Sequence, residues 1–277
     1  MLVQTLPPAI SSGFTVVISP NTYAIILPAV FFAGLVDAIA GGGGLLSVPA
    51  YLAAGVPPHL TLGTNKFSSC FGTAMATGRY IKHRMVDVQT ALLCASCAVL
   101  GSLLGARTVL AIDPSFLRYG LLGAIPAVAL VTLRKPRIGQ VHETHLVTAV
   151  PRRIWIMAGG GILGFYDGFF GPGTGSFLIL LFVWALKCDF VKANGNTKVV
   201  NLATNIAALA MFAYHGEVSL TLGIPAALCS IAGNWIGSKL VILRGNSLIR
   251  PVFLLSLMLL LSKVTYDIMI RMNHRPP

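Results

Sequence analysis

Residues 31–55 read FFAGLVDAIAGGGGLLSVPAYLAAG: an apolar run that holds one carboxylate, Asp37, and is cut by four consecutive glycines. A second stretch of the same design lies at residues 164–187, GFYDGFFGPGTGSFLILLFVWALK, where Asp167 stands four residues before Gly171. A helix is strongly disfavoured across GGGG or GPGTG. The apolar pieces that follow, 45–56 and 175–187, are 12 and 13 residues long, whereas a straight crossing of a bilayer takes about 20 residues. Each stretch therefore reads as a helix that breaks and resumes as a half-helix.

Outward from these two breaks the chain is apolar almost throughout. Of 277 residues 55% are hydrophobic and 10% charged, with 29 glycines and 16 prolines, and mean hydropathy is +0.80. A soluble domain carries roughly 25% charged residues, so that class is excluded, as is disorder. Long unbroken apolar runs exclude a membrane β-barrel, whose strands alternate at every second residue. Full spans are expected near 23–40, 66–80, 88–110, 116–133, 154–171, 198–214, 218–243 and 249–270. The expected fold is thus an all-α polytopic membrane protein with eight full spans and two short apolar segments. The formal charge of +12 comes mostly from Lys and Arg in short links, as expected at a cytoplasmic face, and does not call for a nucleic-acid partner. Five cysteines, four of them in apolar runs, do not make a disulfide framework. The first 36 residues carry no charge, which leaves no basic region for a cleavable signal and predicts a retained N-terminus.

The chain also matches itself. An offset of 130 places Gly34 on Gly164, Asp37 on Asp167, Gly41 on Gly171 and Gly43 on Gly173; an offset of 132 places Lys66 on Lys198, Gly101 on Gly233, Gly105 on Gly237, Arg107 on Lys239 and Arg118 on Arg250. This predicts two homologous membrane repeats, 23–133 and 154–270, joined by a basic cytoplasmic link over 134–153. Crossing short segments would give five passes per repeat and inverted halves, whereas folded-back segments would give four passes and parallel halves. The inverted arrangement is preferred because it gathers Arg79, Lys82, Arg84, Lys187, Lys192 and Arg244 with the link on the inside.

Chemistry is concentrated on two matching stripes. Lys66, Ser69, Thr73 and Thr77 share a helix face, and Lys198, Asn201 and Asn205 repeat the same steps. Each lysine either snorkels to the interface or supplies positive charge to a central anion site. The half-helices that follow Gly43 and Gly44, and Gly173 and Thr174, expose N–H groups and the positive end of a dipole, with Ser47, Thr174 and Ser176 as added hydroxyl donors. Gly101/Gly105 and Gly233/Gly237 are expected to serve close helix packing. Asp37 and Asp167 are costly within apolar runs, and two roles are open for them: proton carrier, or structural partner of nearby backbone or Lys donors. No apolar span holds a histidine, and no phosphate-binding loop is present; no metal site, cofactor or enzymatic activity is expected.

The paired Asp-x-x-x-Gly-x-Gly breaks at Asp37–Gly43 and Asp167–Gly173 are joined by Gly63-Thr64-Asn65-Lys66, Asn196-Thr197-Lys198 and the Gly-x-x-x-Gly-x-Arg/Lys pair at 101–107 and 233–239. From about residue 23 to 270 the chain resembles the TauE/SafE sulfite-exporter family. The resemblance implies a multi-pass carrier of the bacterial inner membrane for small sulfur-containing or organic anions such as sulfite or sulfonates. The expectation is a secondary transporter that moves such an anion outward by alternating access with proton coupling, through Asn65, Lys66, Thr197 and Lys198, with Asn196, Ser69, Thr73, Asn201 and Asn205 beside them. A passive anion channel using the same residues is the alternative. The expected partners are the small anion and the lipid bilayer, with the chain as monomer or homodimer.

Overall fold

The computed structural model of the chain describes residues 2–4, 16–18, 20–113, 149–249 and 251–252. The spans expected near 116–133 and 249–270, and most of the 134–153 link, lie outside the described residues. Eight helices carry the described fold: α1 (Pro20–Ala40), α2 (Gly44–Ala53), α3 (Pro58–Lys82), α4 (Val88–Leu110), α5 (Ala149–Phe169), α6 (Thr174–Leu186), α7 (Phe190–Tyr214) and α8 (Leu220–Arg244). The all-α expectation omitted one feature, an antiparallel pairing of Leu2–Gln4 with Val16–Ile18.

Local chemistry sets the helix ends. Pro58 opens α3, where its missing N–H is harmless. Asp87, Asp189 and Ser219 cap α4, α7 and α8 by accepting from the N–H groups of Thr90, Lys192 and Leu222. The two short helices have 10 and 13 residues and follow the glycine breaks. Gly41, Gly171 and Gly173 sit at φ +74°, +84° and +84°, a left-handed conformation that side-chain-bearing residues rarely adopt. Helices α3 and α7 begin eight residues before their lysines, so Lys66 and Lys198 lie two turns inside a helix. Hydropathy alone starts these spans at the lysines because residues 58–65 and 190–197 are polar, whereas the helices begin at Pro58 and Phe190.

Contacts between helices fix their directions. Gly233 and Gly237 of α8 lie against Phe31 and Leu35 of α1, and Gly101 and Gly105 of α4 lie against Gly161 and Phe165 of α5. These two pairs therefore run parallel. Phe67 meets Gly223, Gly72 meets Ser230, and Arg79 packs over Trp235, so α3 also runs with α8. Helix α7 is antiparallel to α3, because Thr77 reaches Lys198 and Lys66 reaches Asn205. Helices α1, α3 and α8 thus point one way, and α4, α5 and α7 the other.

The two ends of the bundle differ in charge. At one end the Asp87 N–H donates to Asn196 and the Val191 N–H to Asn246, which brings Arg79, Lys82, Arg84, Lys187, Lys192 and Arg244 to the same level. At the opposite end Tyr23 donates to the Thr221 carbonyl, the His59 ring bonds the Val109 carbonyl, and Gly63 lies on the Glu217 backbone; Arg107 is the basic residue nearest it among α1–α8. Large apolar side chains face outward between the ends: Leu100, Leu104, Ile162, Ile224 and Leu228 are 63%, 60%, 70%, 54% and 65% exposed. So broad an apolar exterior is a membrane-facing surface. Helices α1, α4 and α8 are each long and apolar enough to cross a bilayer.

Candidate functional site

The two glycine breaks meet in the interior. Gly41 and Gly175 are so close that a Cβ on either would lie 2.4 Å from the other's backbone, and Gly44 packs on Pro172. The hydroxyls near the breaks are used to hold this junction. Ser47 donates to the Gly43 carbonyl, Thr174 to the Gly171 carbonyl, and Ser176 to the Ala40 carbonyl of the other break. Each of these hydroxyls thus has a backbone carbonyl as its partner, and Ser47 also borders the cavity described below.

Beside the junction, Lys66 enters from α3. Its Nζ donates to Asp167 Oδ2 at 2.6 Å and to Asn205 Oδ1 at 3.0 Å. The ammonium has three donors, so one remains for the adjoining space. Lys198 enters from α7 and donates to Asp37 Oδ2 at 2.8 Å. Each lysine is thus paired with the aspartate of the opposite half of the chain, over 101 and 161 positions of sequence. Burial separates the two pairs: Lys198 is 0% exposed, while Lys66 is 4% exposed and borders a cavity.

That cavity has a volume of about 40 Å³, room for about three waters or one small ion. Its lining brings together Asp37, Gly43, Gly44, Asn65, Lys66, Ser69, Thr73, Asp167, Asn201 and Asn205 from the residues expected in the site. Gly173, Thr174, Asn196, Thr197 and Lys198 do not line it. Asn196 accepts the Asp87 N–H at 2.7 Å and so ties α7 to the start of α4; Thr197 is buried with its hydroxyl unpartnered; Gly173 caps α6 in a left-handed conformation. Thr77, on the Lys66 stripe, donates to the Lys198 carbonyl and joins the two stripes.

Sequence reasoning missed Ser230 and Asn234 of α8, which also line the cavity. The Asn234 amide nitrogen donates to the Ser230 carbonyl, which leaves its buried Oδ1 without a partner. Asn65 Oδ1 is buried and unpartnered as well. A polar i, i+4 pair in the apolar run of 222–243 was the available signal; it reads equally as helix-packing polarity. Among the described residues no three His, Cys, Asp or Glu side chains gather as a metal-holding group.

A family profile described as "Sulfite exporter TauE/SafE" matches residues 26–264. The "Probable membrane transporter protein YfcA" of Escherichia coli strain K12 is 34% identical over 250 residues, covering 90% of this chain and 92% of that protein. A "Probable membrane transporter protein" of Haemophilus influenzae is 34% identical over 244 residues, 88% of this chain and 94% of that one. "Sulfite exporter TauE/SafE family protein 5" of Arabidopsis thaliana is similar over 76 residues at 38% identity, 27% of this chain and 17% of that one. No solved structure matches.

Proposed function

The chain belongs to the TauE/SafE sulfite exporter family of membrane transporters, and from that premise we propose that it is a secondary transporter of small sulfur-containing or organic anions, such as sulfite or sulfonates, in a bacterial inner membrane. The observation that carries this reading is the cavity at the meeting of both glycine breaks, with the third donor of Lys66 beside it. A buried ammonium with a donor to spare favours an anion over a cation or a neutral solute. Asn65, Ser69 and Thr73 of α3 and Asn201 and Asn205 of α7 surround the bound anion, and the breaks at Gly43 and Gly44 let the backbone approach it.

Alternating access follows from two inverted repeats, with 23–133 and 154–270 as the halves and 134–153 as the link between them. The helix directions support this: the first half begins with α1 running with α3 and against α4, while the second begins with α5 running with α7 and against α8. In this arrangement Lys66–Asp167 is the pair opened to the cavity and Lys198–Asp37 its sealed counterpart, with Gly173, Thr174, Asn196 and Thr197 as that counterpart's frame. Transport is outward when the internal excess of anion is the larger gradient, and it is proton-coupled.

Purified protein in liposomes challenged with sulfite, thiosulfate, sulfonates and carboxylates tests the reading. Saturable flux of one or more of these anions above that of protein-free liposomes is expected. Absence of flux for the whole panel, or unitary currents in place of saturable exchange, would overturn it.

A further inference from the structure

Asp37 and Asp167 pose a question that the transport reading leaves open, namely which of them carries the coupled proton. Lys66 and Asp167 are 4% and 2% exposed, and both border the cavity. The ionisable groups there are balanced, since Lys66 faces Asp167 and Lys198 faces Asp37. A monoanion entering this space adds an uncompensated negative charge where the surroundings solvate it poorly. Lys66 holds a single positive charge, and it is the one ammonium that borders the cavity.

We propose that the substrate anion displaces the Asp167 carboxylate from Lys66 Nζ, and that the displaced carboxylate takes one proton from the water on the open side. The anion then occupies the lysine, Asp167 is a neutral acid, and the site regains its original net charge. When the anion leaves, Asp167 gives the proton up and returns to Lys66. One proton thus travels with each anion in the same direction, and the cycle moves no net charge. Asp37 does not serve this purpose, because its partner Lys198 has no exposed surface and does not line the cavity; an anion in the cavity has no access to that ammonium.

The other carboxylate on the cavity is Asp37 of α1, which stays paired with the enclosed Lys198; apart from it, among the described residues no ionisable acceptor borders the space around Asp167. From α3 it faces Lys66 and the Cys70 thiol. On its own helix Tyr166 is adjacent and donates to the Pro172 carbonyl. From α7 it meets the neutral Asn205 beside Lys66. Where α4 packs on Gly168, the side chain present is Ser102, which donates to the Thr204 carbonyl. Helix α6 has no ionisable residue in Thr174–Leu186.

This inference rests on the anion-transport reading, and calorimetry on the full-length protein in detergent separates the two. The probes are methanesulfonate and acetate, both ionised throughout pH 6–8.5, titrated in buffers of different ionisation enthalpy. About one proton taken up per anion is expected, with Kd rising about tenfold per pH unit above neutrality. Asp167→Asn should bind with no proton uptake and a pH-independent Kd, and Asp167→Glu should restore uptake. Binding by the unaltered protein without proton uptake overturns the proposal and leaves the transport reading standing; this outcome does not depend on either variant folding. Failure of these two probes and of sulfite and thiosulfate to bind overturns the small-anion reading itself, and the proposal with it.

Discussion

Lys66 and Lys198 occupy matching places in the sequence and different surroundings in space. Each donates to an aspartate of the other half, yet one borders a cavity and the other is wholly enclosed. Loss of one partner from a buried ion pair costs about 3–5 kcal/mol, because the remaining charge is left without compensation. Lys198→Met should therefore lower the melting temperature of the detergent-solubilised protein clearly, and Lys198→Met combined with Asp37→Leu should recover most of the loss. If the single variant melts like the unaltered protein, the enclosed pair is not a structural element. That two aspartates lay inside apolar runs and two lysines opened matching polar stripes was plain from the sequence. Which lysine meets which aspartate was not, because the partners lie 101 and 161 positions apart and only helix packing brings them together. Asn234 and Ser230 escaped notice for a related reason: a polar pair on one helix shows its purpose only when the facing helix is known.

At the scale of elements, the glycine breaks were legible because GGGG and GPGTG cannot continue a helix, and the half-helices follow them as α2 and α6. The use of neighbouring hydroxyls was not legible. Ser47, Thr174 and Ser176 donate to backbone carbonyls around the breaks, partners that appear only once the backbone path is known. Gly41 is the most constrained residue of the junction: its φ is +74° and a Cβ would lie 2.4 Å from the Gly175 backbone. Gly41→Ala should sharply reduce the amount of monodisperse protein recovered from membranes, as read by fluorescence-detected size exclusion. Gly78→Ala, where an added Cβ meets nothing within 4 Å, should leave recovery unchanged. Equal recovery of the two would show that the breaks do not touch as described. The small-residue motifs behave as packing surfaces: Gly101 and Gly105 bring α4 onto α5, and Gly233 and Gly237 bring α8 onto α1.

For the whole molecule, helix directions and end charges give one orientation. The end that carries Arg79, Lys82, Arg84, Lys187, Lys192 and Arg244 belongs in the cytoplasm by the positive-inside rule, which leaves the 54–57 and 215–219 links outside. A membrane-impermeant maleimide applied to intact cells should label Gly216→Cys and spare Arg84→Cys, with both labelled after permeabilisation; the reverse pattern would invert the proposed topology. The apolar count made a helical membrane protein readable from sequence, whereas the unequal state of the two lysines arises only in the assembled bundle. The claim on which the account depends is that the cavity beside Lys66 binds the transported anion. Methanesulfonate binding to the purified Lys66→Met/Asp167→Asn variant tests it most directly, since that change removes both charges of the pair together and leaves neither one unpaired. The account predicts at least a tenfold loss of affinity, about 1.4 kcal/mol, in a protein that elutes and melts like the original. An unchanged Kd would place the anion site elsewhere and contradict the account.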